Sequence, residues 1–257
     1  MEIIWTIVFL ALFFETLDSA AAMGFGTAFA PILFVMGYDP IEVVPVLLLS
    51  ECITGIADGI FDHTFKNANF SLKPLSPAAK ISFLIAGTGC IGIIFSTFLF
   101  FKLPTEIIKL YSYLLVIIMG FIGLANIKRK SKKFRPKLLA GFAVVAGFNK
   151  GIGGGGFGPV VTLGQILSGV YEKVASATTS WGEGFVSLLG ALIFILQGYL
   201  SSTPLNLYLF PSIFSGAFFA AILAPYLTRV LPNKIWRVFI PLYALSLGLF
   251  SLLKLFL

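Results

Sequence analysis

Acidic side chains interrupt some of the most apolar stretches of the chain, at spacings that bring them onto shared faces of helices. Three groups show this pattern: Glu15 and Asp18; Glu51, Thr54, Asp58 and Asp62; and Thr179, Glu183 and Ser187. Carboxyl groups are costly inside a membrane and are functional there by default. In a dry site they are candidate carriers of protons or ligands of Na⁺.

These acids differ in how strongly their positions favour function over structure. The structural alternative is a carboxyl group that is protonated or that pairs with a helix end. This alternative is favoured for Asp62, which lies at a segment end close to Lys66. We favour a coupling function for Glu51 and Glu183. Both interpretations remain open for the other three acids, which are Glu15, Asp18 and Asp58.

Two glycine-rich breaks, each followed by a proline, lie at corresponding places in the two halves of the chain. Proline suits the first turn of a helix, and the free N–H groups of that turn attract anions. Glycine also permits close packing of membrane helices, but four consecutive glycines exceed what packing requires. We therefore predict that the breaks bind a small anion. The binding residues are Gly24, Gly26, Pro31, Gly153, Gly154, Gly155, Gly156 and Pro159.

Lys150 is the one basic residue that the sequence places at membrane depth, and it lies just before the second break. It could help to bind the anion, or it could be the structural partner of a buried carboxylate. The sequence leaves these two roles open. Thr179, on the same predicted helix face as Glu183, is a further candidate for contact with the anion.

Long apolar runs provide the elements that must position these residues. The chain has 257 residues, of which 58% are hydrophobic and 11% are charged. Each run approaches the roughly 20 residues that cross a bilayer, so we predict an all-α polytopic membrane protein. The runs are Val43 to Phe61, Ile81 to Phe101, Ile107 to Ile127, Val174 to Leu196, Leu207 to Leu227 and Ile235 to Leu253.

Basic residues predict the orientation of these spans, because cytoplasmic loops are enriched in lysine and arginine. Seven of the 18 basic residues fall in residues 128–137, which we place in the cytoplasm. Counting single crossings from there puts 14 basic residues inside and three outside, with Lys150 at membrane depth. Both termini are then predicted outside.

The same count predicts two repeats of opposite orientation, each a broken helical hairpin followed by three spans. The first repeat covers residues 1–127 with its hairpin at 3–37. The basic connector 128–137 joins it to the second repeat, 138–257, with its hairpin at 138–169. Residues that align between the repeats are Gly26 with Gly154, Pro31 with Pro159, Gly37 with Gly169, and Glu51 with Glu183.

Several other functional classes find little support in the residues. Cys52 and Cys90 lie in apolar runs, and the single histidine, His63, falls at a loop start, so neither a metal site nor an enzyme is indicated. The glycine run matches a dinucleotide-binding pattern only formally, because no strand precedes it. The first apolar segment contains two acids and no basic region before it, which argues against a signal peptide. We expect no cofactor and no nucleic-acid partner.

The two glycine–proline breaks and the segment Ala177-Thr178-Thr179-Ser180 resemble the sulfite exporter TauE/SafE family, also called the toluene-sulfonate uptake permeases. The resemblance covers almost the whole chain through its two-half layout. It implies a prokaryotic inner-membrane carrier of sulfite, sulfonates or related organosulfur and carboxylate anions.

The leading hypothesis is a secondary transporter that moves a small anion by alternating access, coupled to H⁺ or Na⁺. Its partners are then the anion, the coupling ion and the lipid bilayer, and a homo-oligomer is left open. The alternative is a cation or metal-ion carrier that uses the buried carboxylates. A purely structural membrane subunit is a further alternative, in which neutralising Glu51 and Glu183 would leave function intact.

Overall fold

The computed structural model describes residues 3–21, 25–125, 134–170, 172–201, 205–230, 242, 245–246 and 248–253. Gly24, most of the connector 128–137 and most of the run Ile235 to Leu253 lie outside these residues. The helices in the described part are α1 (Trp5–Ala21), a π-helical turn (Phe25–Phe29), α2 (Ala30–Val35), α3 (Pro40–Thr64), α4 (Pro77–Phe100), α5 (Thr105–Ala125), α6 (Pro136–Gly153), α7 (Phe157–Leu167), α8 (Glu172–Leu200) and α9 (Phe210–Val230).

Five of these helices are long and apolar enough to cross a membrane, namely Pro40–Thr64, Pro77–Phe100, Thr105–Ile122, Val174–Leu200 and Phe210–Leu227. They coincide with five of the six predicted runs. The pieces Phe25–Val35 and Phe157–Leu167 are apolar but too short to cross. The prediction of an all-α polytopic membrane protein is confirmed.

Local sequence explains where the long helices begin. Asp39 and Glu42 form a capping box at the start of α3, with Pro40 in its first turn. At the start of α4, the Ser76 hydroxyl accepts a hydrogen bond from the backbone N–H of Ala79 at 3.2 Å, and Pro77 follows the cap. These caps satisfy backbone groups that would otherwise have no partner at the membrane surface.

Helices α3 and α8 form the centre of the bundle. They pack against each other, α9 also contacts α3, and α4 also contacts α8. Two outer pairs complete the arrangement, with α6 packed on α4 and α1 packed on α9. In the membrane-length stretch of α3, 67% of the residues are buried, compared with 33–44% in the other four candidate spans. Three acids of α3, Glu51, Asp58 and Asp62, are held in the protein interior.

Glycines allow the outer pairs to approach closely. A Cβ added to Gly147 of α6 would lie 2.0 Å from the carbonyl oxygen of Gly89 on α4, and one on Gly92 would lie 2.0 Å from that of Val144. In the other pair, a Cβ on Gly216 of α9 would lie 2.1 Å from the carbonyl oxygen of Val8 on α1. Small residues commonly allow this close approach of backbones between membrane helices.

The short helices of the two breaks begin earlier than the prolines predict. Helical backbone already starts at Phe25 in the π-helical turn, so Pro31 lies within a continuous helical piece. Helix α7 starts at Phe157, which places Pro159 at its third residue. In α7 the missing N–H of Pro159 falls in the first turn, where those groups have no partner within the helix. The position of the proline alone therefore does not determine at which residue the short helix begins.

Candidate functional site

The Lys150 ammonium is the centre of a buried ion-pair cluster. Its Nζ donates to Glu51 Oε2 at 2.6 Å and to Glu183 Oε1 at 2.5 Å. The three side chains come from α6, α3 and α8, and Lys150 is fully buried. The ring of Phe157 lies 5.6 Å from the same Nζ and offers a cation–π contact. Of the two roles left open for Lys150, this geometry is that of a partner to carboxylates.

The cluster brings together residues that are far apart in sequence. Lys150 begins the last turn of α6 before the second break, and its carbonyl accepts the N–H of Gly154 at 2.9 Å. Glu51 and Glu183 lie on the two central helices, at the positions that the repeat alignment pairs. A buried charge is tolerated only when it is paired and hydrogen-bonded. One lysine here serves two glutamates, so the glutamates carry more charge than their partner when both are ionised.

A small cavity beside the ion pair is lined largely by acids. Its lining residues are Glu15, Asp18, Glu51, Thr54, Gly55, Asp58, Ser180 and Glu183. All five of the acids proposed for coupling line this one cavity. They belong to three helices, α1, α3 and α8, so the first hairpin supplies two of the five. The sequence spacing predicted each stripe of acids but could not show that the stripes face one another.

Some carboxylate oxygens in this cavity have no hydrogen-bond partner within the described part of the chain. Glu51 Oε1 is buried and unbonded, although its other oxygen accepts from Lys150. Asp58 Oδ1 is likewise unbonded, while Asp58 Oδ2 accepts from the Ser19 hydroxyl at 2.6 Å. Buried polar atoms are almost always bonded. These oxygens are therefore available to a proton or a cation.

Three of the acids are close enough to share one ion. Asp18, Glu51 and Glu183 each offer a carboxylate oxygen, and these oxygens all lie within 4.8 Å of one another. Oxygen ligands are those that hard cations prefer. The arrangement can thus hold a cation in direct competition with the Lys150 ammonium.

The two glycine breaks touch each other next to this cluster. A Cβ on Gly26 would lie 2.0 Å from the carbonyl oxygen of Gly154, and one on Gly155 would lie 2.0 Å from that of Gly26. The N–H of Gly156 donates to the Thr27 hydroxyl across the same contact at 3.0 Å. The breaks therefore pack backbone against backbone, and this conformation leaves no room for a ligand directly between them.

Left-handed backbone explains part of the glycine run. Gly154 has φ +72° at the end of α6, and Gly156 has φ +78° immediately before α7, a region in which other residues are strained. Gly153 is needed for space, because its Cβ would lie 2.4 Å from the Ser112 hydroxyl. Pro31 and Pro159 are both buried close to the contact. Gly24 lies outside the described residues.

Thr179 is not among the residues that line the acidic cavity. Its hydroxyl accepts from Gln165 Nε2 at 2.7 Å and donates to the carbonyl of Ala175 at 2.8 Å. The bond from Gln165 connects α7 to α8, and the bond to Ala175 lies within α8. Asp62, for which a structural role was favoured, accepts from Asn67 Nδ2 at 2.7 Å. The cavity does not include Asp62 either.

Two contributors to the site were missed by reasoning from the sequence. Ser180 lines the cavity and lies three residues before Glu183, so the helical spacing that singled out Thr179 could also have found it. Thr27 anchors the second break through the bond to Gly156. No sequence signal pointed to this contact, because it depends on how the two breaks meet.

Comparison with known proteins identifies the family. The model of the sulfite exporter TauE/SafE family matches residues 7–251. The chain is 23% identical over 231 residues to the "Probable membrane transporter protein YtnM" of Bacillus subtilis (strain 168), a match that covers 86% of this chain and 73% of that protein. No solved structure matches the chain. The chain therefore belongs to the TauE/SafE sulfite exporter family and is a multi-pass membrane transporter, not an enzyme.

Proposed function

We propose that the chain is a secondary active transporter of a small anion, of the sulfite, sulfonate or related organosulfur and carboxylate class, coupled to H⁺ or Na⁺. The observation that carries the proposal is the buried ammonium of Lys150, held by two carboxylates beside the paired glycine breaks. An ammonium that is shared between acids and adjoins a backbone-lined anion site can respond to both the coupling ion and the substrate.

The anion site is proposed at the second break. The start of α7 brings the positive end of a helix dipole and the backbone N–H groups of its first turn to this point. In this conformation the N–H of Gly154 bonds to the Lys150 carbonyl. The N–H of Gly156 bonds to the Thr27 hydroxyl, and opening of the contact between the breaks would release this group. Lys150 lies one helical turn before Gly154. The first break contributes Gly24, Gly26 and Pro31, and the second also contributes Gly153, Pro159 and, more remotely, Thr179.

Coupling is proposed at the acidic cavity. Glu51 and Glu183 bind or release the coupling ion, and Asp58, Glu15 and Asp18 lie around them in the same cavity. Neutralising part of this negative charge loosens the hold of the carboxylates on Lys150. The ammonium then becomes available to an anion at the adjacent break. Loading the cation therefore favours loading the anion.

Alternating access is proposed to arise from motion between two repeats, 1–127 and 138–257. The helix contacts support this division, because they are symmetric when α1 is exchanged with α6, α3 with α8 and α4 with α9. The pair α4–α6 then corresponds to α9–α1, the pair α4–α8 corresponds to α9–α3, and the pair α3–α8 corresponds to itself. The Lys150–Glu51 bond and the contact between Gly26 and Gly155 both connect the halves. We propose that rocking of the halves opens these contacts to each side of the membrane in turn.

A panel of candidate ligands tests the substrate class directly. Purified protein in detergent is heated with sulfite, an alkyl sulfonate, a carboxylate of similar size, or a divalent cation, because a ligand that binds the folded state raises its unfolding temperature. We expect stabilisation by at least one of the sulfur or carboxylate anions, with chloride as the matched control. Stabilisation by cations in the absence of any effective anion would contradict the proposal.

A cation carrier is the second candidate, and the acidic lining of the cavity favours it. The five acids face one lysine, which leaves a negative interior if all are ionised. In this alternative the cavity holds the transported ion itself. The two candidates differ in whether cation flux requires an anion on the same side of the membrane.

A further inference from the structure

We propose that Asp18, Glu51 and Glu183 form a Na⁺ site, and that the Lys150 ammonium occupies it as a tethered competitor until Na⁺ displaces it. The inference rests on the proposed function, in that it identifies the coupling ion and the group that this ion replaces. It adds that the three acids bind Na⁺ and that Lys150 changes its partner when they do so.

The geometry of the oxygens provides the first argument. One oxygen from each of the three acids lies within 4.8 Å of the other two, so all three can contact one ion placed between them. Glu51, one of the three acids, also carries an oxygen, Oε1, that has no hydrogen-bond partner in the described residues, and its side chain is only 4% exposed. An unbonded oxygen at this depth is a ready ligand, because burying it without a partner is costly.

The position of Lys150 provides the second argument. Its ammonium contacts two of the same three carboxylates, at 2.6 and 2.5 Å, and so occupies the volume that a coordinated ion would need. Asp18 comes from α1 and is not one of the two salt-bridge partners of Lys150. Na⁺ must therefore take two of its three carboxylate ligands from the lysine.

Charge selects a monovalent ion. Exchange of an ammonium for Na⁺ leaves the charge of the three carboxylates and their bound cation unchanged, so it avoids placing additional net charge in a poorly hydrated site. The displaced ammonium stays tethered to α6, directly before the glycine break. Na⁺ entry at the acids is thereby converted into a free positive charge at the place proposed for the anion.

Sodium binding to the purified full-length protein tests this inference without any transported substrate. Unfolding temperature is followed in detergent at mildly alkaline pH while choline chloride is replaced by NaCl at constant ionic strength, and binding of radioactive sodium is measured in parallel. We expect saturable stabilisation of the wild type by Na⁺. Lys150→Met, which removes the competitor, should bind Na⁺ at least about tenfold more tightly, equivalent to about 1.4 kcal/mol.

Asp18→Asn provides a second test that keeps the Lys150 cluster intact, and it should weaken Na⁺ binding at least about tenfold. Asp62→Asn is the matched control, because Asp62 is a buried aspartate that lies outside the cavity and retains the oxygen bonded by Asn67. Its Na⁺ affinity should equal that of the wild type.

Two results would overturn the inference: absence of saturable Na⁺ binding in both the wild type and Lys150→Met, or equal Na⁺ affinity in Asp18→Asn and the wild type. A carrier that moves the anion with protons alone would give the first of these results. The proposed anion transport would then stand while the Na⁺ site would not, so the two failures are distinguishable.

Discussion

At the scale of single residues, an ion pair between a lysine and a carboxylate contributes differently to stability in the interior and near the surface. Lys150 is fully buried between Glu51 and Glu183, whereas Lys109 meets Asp39 at 3.2 Å with the Asp39 side chain 58% exposed. Water screens the second pair, so that pair contributes little to the stability of the fold. In the first pair, two carboxylates take the place of water around the Lys150 ammonium. Removing one partner there leaves an uncompensated charge in the interior.

Replacing each lysine by methionine should reveal this difference. Lys150→Met is expected to destabilise the folded protein by about 3–5 kcal/mol in Na⁺-free buffer, because it strands two buried carboxylates. Lys109→Met is the matched control and should cost no more than about 1 kcal/mol. Reversible unfolding in mixed micelles provides the measurement. Equal stability of the two variants would show that the buried cluster does not hold the fold together.

The residue scale also shows what the sequence could predict. Alignment of the two halves singled out Glu51 and Glu183 as a pair, because glutamates at matching depth are unusual in apolar helices. That one lysine bridges both could not be deduced, since it depends on the positions of three helices in space. For the same reason the spacing rule found the acids of each helix but not their common cavity.

At the scale of helices, glycine decides which faces can meet. Gly147 and Gly141 both lie on α6, six residues apart. Gly147 contacts the backbone of α4, whereas a Cβ on Gly141 would meet no atom within 4 Å. The sequence shows both glycines but not which of them faces a neighbouring helix. Gly141 therefore serves as a control position for Gly147 on the same helix.

Alanine substitution at these two positions tests the packing. Gly147→Ala should separate α6 from α4, at a cost of at least about 1–3 kcal/mol, because its Cβ would meet rigid backbone. Gly141→Ala should be neutral or stabilising by up to about 1 kcal/mol, since alanine favours a helix more than glycine does. The unfolding temperature and the amount of folded protein in the membrane measure both effects. Similar losses in the two variants would contradict the assigned helix contact.

At the scale of the whole molecule, the order of helices repeats. A helix, a break, a short helix and then long helices occur twice along the chain, from α1 to α5 and from α6 to α9. The apolar runs were sufficient to predict five of the long helices, since their length and composition carry the signal. The exact start of each short helix could not be predicted from its proline, because Pro159 is tolerated at the third residue of α7 and helical backbone begins before Pro31 in the first break.

Opposite orientation of the repeats is open to a labelling test. Single cysteines are placed at Asp39, Asn69 and Asn206 after both native cysteines have been replaced by serine. A membrane-impermeant thiol reagent applied to intact cells should label positions 39 and 206 but not 69, because the basic loops are predicted inside. Permeabilised cells, in which all three should react, provide the control. Equal labelling of positions 69 and 206 in intact cells would contradict the opposite orientation of the repeats, and labelling of position 69 alone would exchange the predicted inside and outside.

The central claim is that buried acids couple a cation gradient to movement of a small anion. Accumulation of radiolabelled sulfite in proteoliposomes, under an imposed pH or Na⁺ gradient, tests it most directly. We expect accumulation by the wild type and by Asp62→Asn only while a gradient is present, and loss of gradient-driven accumulation in Glu51→Gln and Glu183→Gln at matched amounts of folded protein. Electrogenic cation flux that needs no anion, or undiminished accumulation in both glutamine variants, would contradict the account.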